Sequence, residues 1–190
     1  AHCKRWPLSR GLRCGIDLAE ALHYCHAEAM PGYRVLHRDI KPSNIGFLAD
    51  GRLVLFDFGL AKLWKDEGED AQVRRLTGQT GSLRYMAPEV ALCQPYNHKA
   101  EIFSFATVLW QMCSHDIPFF EYDVDLFMDR VCKKGERLRM RKEWPPALAL
   151  LLTDCWRPLH TSRPELADVL PVLRKLLTEQ EEADPLAGRR

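Results

Sequence analysis

Apolar residues fall at three- and four-residue steps through Leu8, Leu12, Ile16, Ala19, Leu22 and His26, and Pro31-Gly32 closes the stretch. That period predicts a helix over residues 8–29. The period then changes. Residues 44–48 and 52–56 are short apolar runs joined through Ala49-Asp50-Gly51, and Asp-Gly between two such runs signals a β-hairpin. Residues 60–85 have weak periodicity and many charges and read as a long loop; a loop of that length inside a compact domain is usually functional. Residues 102–113 are nearly all apolar, which predicts a helix buried on most sides. Further helices are expected at 123–134, 146–156 and 164–177, the last with Pro164 in its first turn, while residues 178–190 read as a polar, flexible tail. The pattern is a mainly α fold, a helical bundle carrying one small β-hairpin, with no internal repeat.

Composition bounds this picture. The chain has 190 residues, 46% hydrophobic and 28% charged, with 11 Gly and 12 Pro, which suits one globular domain and excludes a disordered or collagen-like chain. No apolar run is long enough to predict a transmembrane helix. A net charge of +1 gives no sign of nucleic acid or of an anionic membrane as partner. The seven cysteines stand singly, an odd count without C-x-x-C, so reduced thiols in a cytoplasmic or nuclear protein are expected. The seven histidines show no zinc-binding spacing. The chain begins with Ala and without the apolar run of a signal peptide, so the expectation is a cut or an incomplete gene product. Nothing in the sequence sets the oligomeric state.

The hairpin is flanked by acids. Asp39 precedes its first strand, Asn44 follows five positions later, and Asp57 ends its second strand. A hairpin brings strand ends together, so these three oxygen-bearing side chains can converge beside Lys41. Such a set suits Mg²⁺, which takes oxygen ligands and leaves room for water and phosphate.

Three motifs then carry a resemblance. His37-Arg38-Asp39-Ile40-Lys41-Pro42-Ser43-Asn44 resembles the catalytic loop of eukaryotic protein kinases, Asp57-Phe58-Gly59 their metal-binding triplet, and Ala87-Pro88-Glu89 the end of their activation segment. The order and spacing of the three make the signal strong. Ile102-Phe103-Ser104-Phe105 is similar to the buried helix that supports the catalytic loop. Ile117-Pro118-Phe119, Cys155-Trp156 and Ser162-Arg163-Pro164 look like later parts of the large lobe. The resemblance spans roughly residues 8–177 and implies a kinase-like large lobe, with residues 1–177 as a partial kinase domain.

The resemblance implies the following roles. Asp39 accepts or orients the proton of the substrate hydroxyl, and Lys41 neutralises charge on the transferred phosphoryl group. Asn44 and Asp57 hold the Mg²⁺ that bridges the ATP phosphates. His37 packs under the metal-binding triplet, Gly59 frees the backbone after Phe58, and Glu89 and Arg163 form a buried ion pair. Lys41, and Ser82 with its hydroxyl facing the catalytic aspartate, resemble the serine/threonine group, so a protein substrate with a Ser/Thr acceptor is expected. Arg38 beside Asp39 suggests regulation through a phosphate on Thr77 or Thr80; the alternative is that these are ordinary loop hydroxyls.

Several positions depart from the family pattern. Residues 1–36 hold no Gly-rich phosphate loop, no strand lysine and no partner-glutamate helix, so the isolated chain is expected to bind ATP poorly. Glu101 stands where the family has an Asp that accepts from the catalytic-loop backbone, which puts the loop's position in question. Ala106 replaces a common Gly, and Gly46 replaces the large apolar floor under adenine. Trp110, Trp156 and Phe105 are expected in the core, and Trp64 and Trp144 partly exposed. The basic run from Lys133 to Lys142 reads as a solvated loop rather than a docking site. Two functional readings remain open: an ATP-dependent serine/threonine kinase present as a partial catalytic domain, and an inactive kinase-like scaffold or regulatory module. A metal hydrolase on the same carboxylates would leave the later motifs without a role.

Overall fold

The structure is a computed structural model and describes residues 5–65 and 82–183. Helix α1 (Leu8–His23) passes into a wider π turn (Tyr24–Glu28) closed by Ala29 N–H to Tyr24 O. Strand β1 (Tyr33–Leu36) follows, and then the hairpin of β2 (Ile45–Phe47) and β3 (Leu53–Leu55). Strand β4 (Lys62–Lys65) and the short helix α2 (Pro88–Ala91) lead to helix α3 (Lys99–Ser114). Helix α4 (Val124–Phe127) runs into a second π turn, and α5 (Pro146–Cys155) and α6 (Leu166–Ala183) complete the order.

Helix α3 is the axis of the core. Ile102, Phe103, Phe105, Ala106, Val108 and Leu109 are at most 1% exposed, so the helix is buried on most sides, with half-buried Ser104 and Gln111 on the remaining face. Helix α1 packs against α3 on one side and α6 on the other, and α5 bridges α3 and α6. The α1–α3 contact is close because α1 carries glycines there. A Cβ on Gly11 would lie 3.0 Å from the carbonyl oxygen of Met112 and 3.2 Å from Cys113 Cα.

The β2–β3 hairpin pairs Ile45 with Leu55 and Gly46 with Val54. Its ladder reaches further on both sides, through Leu48 N–H to Arg52 O and Phe56 N–H to Asn44 O. Gly51 turns the corner at φ 86° while the Asp50 carboxylate accepts from Arg52 N–H. A second antiparallel pair departs from the sequence expectation. Residues 62–65, inside the expected loop, form β4 and pair with β1 in the register Tyr33↔Lys65 to Leu36↔Lys62. Trp64 is the one residue of β4 that turns inward, and it is 2% exposed. Trp64 and Trp144 are thus both buried, contrary to the expected partial exposure, while Trp110, Trp156 and Phe105 lie in the core.

Two more boundaries move. The helix expected over 123–134 is a four-residue α4 followed by a π turn (Met128–Lys133). Helix α6 continues through Thr178 to Ala183, so the first six residues of the expected tail are helical; there Thr178 Oγ1 donates to Arg174 O and Glu181 pairs with Arg13 of α1. Among the described residues no helix is long and apolar enough to cross a membrane.

Replacing Gly11 with valine places a branched side chain against the α3 backbone. It is expected to destabilise the fold by about 1–3 kcal/mol, an overpacking cost read from chemical denaturation.

Candidate functional site

The loop between β1 and β2 carries Arg38 to Asn44 across the mouth of the hairpin, and its geometry is fixed from below. Arg38 adopts φ 69°, a left-handed backbone that an arginine rarely takes. Its N–H donates to Glu101 Oε1 on α3 at 2.6 Å, and its Nε donates to the hydroxyl of buried Tyr96 at 3.1 Å. Glu101 therefore does accept from the loop backbone. The extra methylene also lets its other oxygen meet His26 Nε2 at 2.6 Å.

His37 is fully buried. Its Nδ1 accepts from Asp39 N–H at 3.3 Å, which leaves Nε2–H to donate to Phe56 O at 3.0 Å. Its ring meets Phe58 edge to face at 4.7 Å. One side chain thus ties the loop to the end of β3 and to the residue after Asp57.

Asp39 is 8% exposed and is met by three donors. Lys41 Nζ lies 2.6 Å and Asn44 Nδ2 3.1 Å from Oδ2, and Ser82 N–H donates to Oδ1 at 3.0 Å. The sequence pointed to the Ser82 hydroxyl; the contact is made by its backbone amide. Asn44 Nδ2 also donates to Asp39 O at 2.8 Å. Its nitrogen is spent on Asp39, and its amide oxygen is left as an acceptor.

Asp57 is brought to Asn44 by the hairpin, since Phe56 pairs directly with Asn44. It is exposed, sits at φ 65°, and accepts from Gly59 N–H at 3.3 Å. Among the described residues no group of three or more His, Cys, Asp or Glu gathers a metal on its own. Asn44 and Asp57 instead offer a hard amide oxygen and a carboxylate at the same end of the hairpin. That donor set fits a Mg²⁺ ion that completes its shell with water and phosphate. Gly46, on the same hairpin, is covered by Phe56, whose ring would come within 3.2 Å of a Cβ there.

The sequence matches the protein kinase domain family over residues 13–172. The chain belongs to the protein kinase domain family. It is 31% identical over 168 residues to serine/threonine-protein kinase STY17 of Arabidopsis thaliana, covering 88% of this chain and 28% of that protein. It is 31% identical over 164 residues to serine/threonine/tyrosine-protein kinase HT1 of the same plant, covering 86% of this chain and 39% of that protein. To dual specificity protein kinase shkD of Dictyostelium discoideum it is 29% identical over 177 residues, covering 93% of this chain and 23% of that protein. The chain therefore spans well under half the length of these relatives.

Elsewhere in this kinase domain, Glu89 and Arg163 form a bidentate pair, Nη1 to Oε1 at 2.6 Å and Nη2 to Oε2 at 2.9 Å. Arg163 is 1% exposed; it also donates to the carbonyls of Arg157 and Lys99 and stacks over Phe103 at 5.4 Å. Thr77 and Thr80 lie outside the described residues. In the basic run Lys133, Lys134, Arg139 and Lys142 are exposed, while Arg137 donates to three carbonyls and Arg141 to Ser114 O and Asp116. Burial pushes the thiols of Cys113 and Cys155 up to about 12, so they stay protonated. The residues the sequence reading missed are Tyr96, His98 and His26. Only His26 left a signal, a histidine within an apolar helical stripe.

Breaking the Glu89–Arg163 pair strands a buried charge. Glu89→Gln is expected to cost about 3–5 kcal/mol in chemical denaturation. A second prediction concerns Glu165. Burial works to raise its carboxyl, but hydrogen bonds from His98 and Lys99 outweigh it and hold it at about 2 against an ordinary 4.5. A depressed carboxyl stabilises above its unfolded value, and that contribution fades as the pH falls from about 4.5 to about 2. The acid-side slope of stability is expected to flatten in Glu165→Gln, measured by denaturation across that range.

Proposed function

We propose that this chain is the catalytic-loop lobe, the large lobe, of an ATP-dependent protein serine/threonine kinase. The observation that carries the reading is the triply held Asp39 carboxylate beside the Asn44–Asp57 oxygen pair. Proton acceptors work when their geometry is fixed before the substrate arrives. Asp39 has that property: Ser82 N–H fixes one oxygen, and Lys41 and Asn44 fix the other. A serine or threonine hydroxyl reaching Asp39 is oriented by it and gives up its proton to it. Lys41, already at 2.6 Å from Asp39, brings a positive charge to the place where the phosphoryl group passes.

Asn44 and Asp57 would hold Mg²⁺, which would neutralise charge on the phosphates of ATP. Phe56 fills the space over Gly46 and supplies the apolar surface on that side of the hairpin. Phe47, Phe56, Phe58 and Leu60 are 41–51% exposed, an apolar face that a phosphate-covering lobe would bury. Ser/Thr specificity rests on Lys41 two positions after Asp39, and relatives named as serine/threonine kinases support it. The scaffold reading draws on one feature, the lack of a Gly-rich loop within these residues.

Two outcomes test the reading. The isolated 190 residues are expected to bind ATP weakly and to transfer no phosphate above background. A longer protein that joins this chain to a Gly-rich lobe is expected to phosphorylate Ser/Thr peptides with Mg-ATP. There Asp39→Asn should lower kcat by roughly 10²–10⁴-fold, measured by radiolabelled phosphate transfer. Transfer that survives Asp39→Asn overturns the assignment.

A further inference from the structure

The Asp39 site opens onto a groove of about 680 Å³ that has no part in the chemistry described above. Lys41 and Ser82, which both touch Asp39, line its near end. Leu83, Ile117, Val124 and Phe127 carry it away from the site. Ile117 is 48% and Val124 63% exposed, so the groove shows apolar surface to water. A furrow that starts beside a fixed proton acceptor and continues as an apolar channel fits an extended chain better than a compact ligand.

Part of this groove is the irregular turn over residues 117–122, and one side chain holds it. Arg84, the neighbour of Leu83, donates through Nη1 to the carbonyls of Pro118 and Phe119 at 3.3 and 3.4 Å. Through Nη2 it reaches Phe120 O at 3.5 Å, and its guanidinium lies 5.9 Å from the centre of the Phe120 ring. Phe119 sits at φ 49°, a left-handed backbone that an aromatic residue rarely adopts. Three successive carbonyls turned toward one point repel one another. A guanidinium, with its fixed fork of donors and permanent charge, is the side chain that can meet them together. Arg84 thereby ties the Leu83 side of the groove to the Ile117 side.

The charges around the groove are uneven. Lys41 is matched by Asp39, and Arg84 is turned onto the three carbonyls. Beyond them Glu121, Asp123 and Asp125 are all exposed. Asp123 caps α4 by accepting from Leu126 N–H at 2.8 Å, and among the described residues none of the three has a basic partner. Asp129, further along, is already met by Lys134 at 2.7 Å. The open end of the groove is therefore negative and uncompensated, which favours a positively charged occupant.

We propose that this groove takes the stretch of a protein substrate next to its acceptor residue, selecting one apolar side chain followed by basic ones, and that Arg84 is the positioning residue that sets the groove's width. Placing the acceptor at Asp39 rests on the kinase reading; binding of a basic, apolar-anchored chain in the groove does not.

The test is binding of fluorescein-labelled peptides to the 190-residue chain, followed by anisotropy. Each peptide has Ala in place of the acceptor, with Leu and two Arg on one side of it, made in both directions. Controls carry Asp for Arg or Gly for Leu. In one direction the Leu/Arg peptide is expected to bind about fivefold tighter than the Asp control. It should bind about tenfold tighter than the Gly control. The double variant Glu121→Gln, Asp125→Asn should erase the preference for Arg and keep the preference for Leu. Arg84→Met should do the reverse, a split that general destabilisation would not produce, and Arg84→Lys should lower the preference for Leu only in part. If Arg84→Met does not fold, Arg84→Lys decides: a lowered preference for Leu supports the role of Arg84 and an unchanged one overturns it. Equal or tighter binding of the Asp control overturns the proposal. So does a preference for Arg that survives the double variant, or no binding of any peptide at millimolar concentration. Absence of phosphate transfer in the longer protein would sink the kinase reading and leave these affinities unchanged, so the two fail separately.

Discussion

The Glu101 carboxylate is the point on which the site turns. It lies on the most deeply buried helix of the fold and joins two pieces of chain that come from opposite sides, the π turn after α1 and the loop after β1. A carboxylate in that position must be fully satisfied, because an unpaired charge in the core would cost more than any single contact returns. Both of its oxygens are met at 2.6 Å. In return it holds Arg38 in a backbone conformation that the residue would not choose alone, and the turn at Arg38 aims Asp39 toward the hairpin mouth. Strain at one residue is thus held in check by charge on a rigid helix.

Around that point the fold adds independent ties. His37 links the loop to the end of β3, and Phe56 pairs with Asn44, so the loop is tied to the hairpin at two points. Glu89 and Arg163 clamp α2 to the segment before α6. Lys99 reaches both Glu165 and the carbonyl of Arg163, which places this clamp next to buried His98. Buried polar groups therefore run from the Arg38–Asn44 loop through α3 to the start of α6, and each link has a named partner on a different element.

Much of this was legible in the residues. The three motifs located the loop, the triplet and the later glutamate. The period of α1 and the unbroken apolar run of α3 announced both helices, because a long stripe or a long run has few other solutions. What escaped notice was short or made by backbone. Strand β4 is four residues with one buried side chain, and its partner β1 lies almost thirty positions earlier, so no local pattern marks the pair. Helix α6 outlasted the expected boundary through residues that are polar and carry no apolar period, and its last turns meet α1 through the Arg13–Glu181 pair. The doubt over Glu101 came from counting methylenes in one direction only. The longer side chain reaches His26 without giving up the loop, which needed the position of α1 to be known.

The Ser82 contact has a different kind of consequence. Asp39 is met there by a peptide N–H and not by a hydroxyl. Every amino acid but proline carries that group, so this hydrogen bond asks for a path of the chain and not for a particular residue. A lineage could drift at position 82 without losing the tie to Asp39, while the side chain it presents there stays open to other pressures, such as which acceptor sits beside it. Tolerance to substitution at this position would then coexist with intolerance of any change in the course of the backbone.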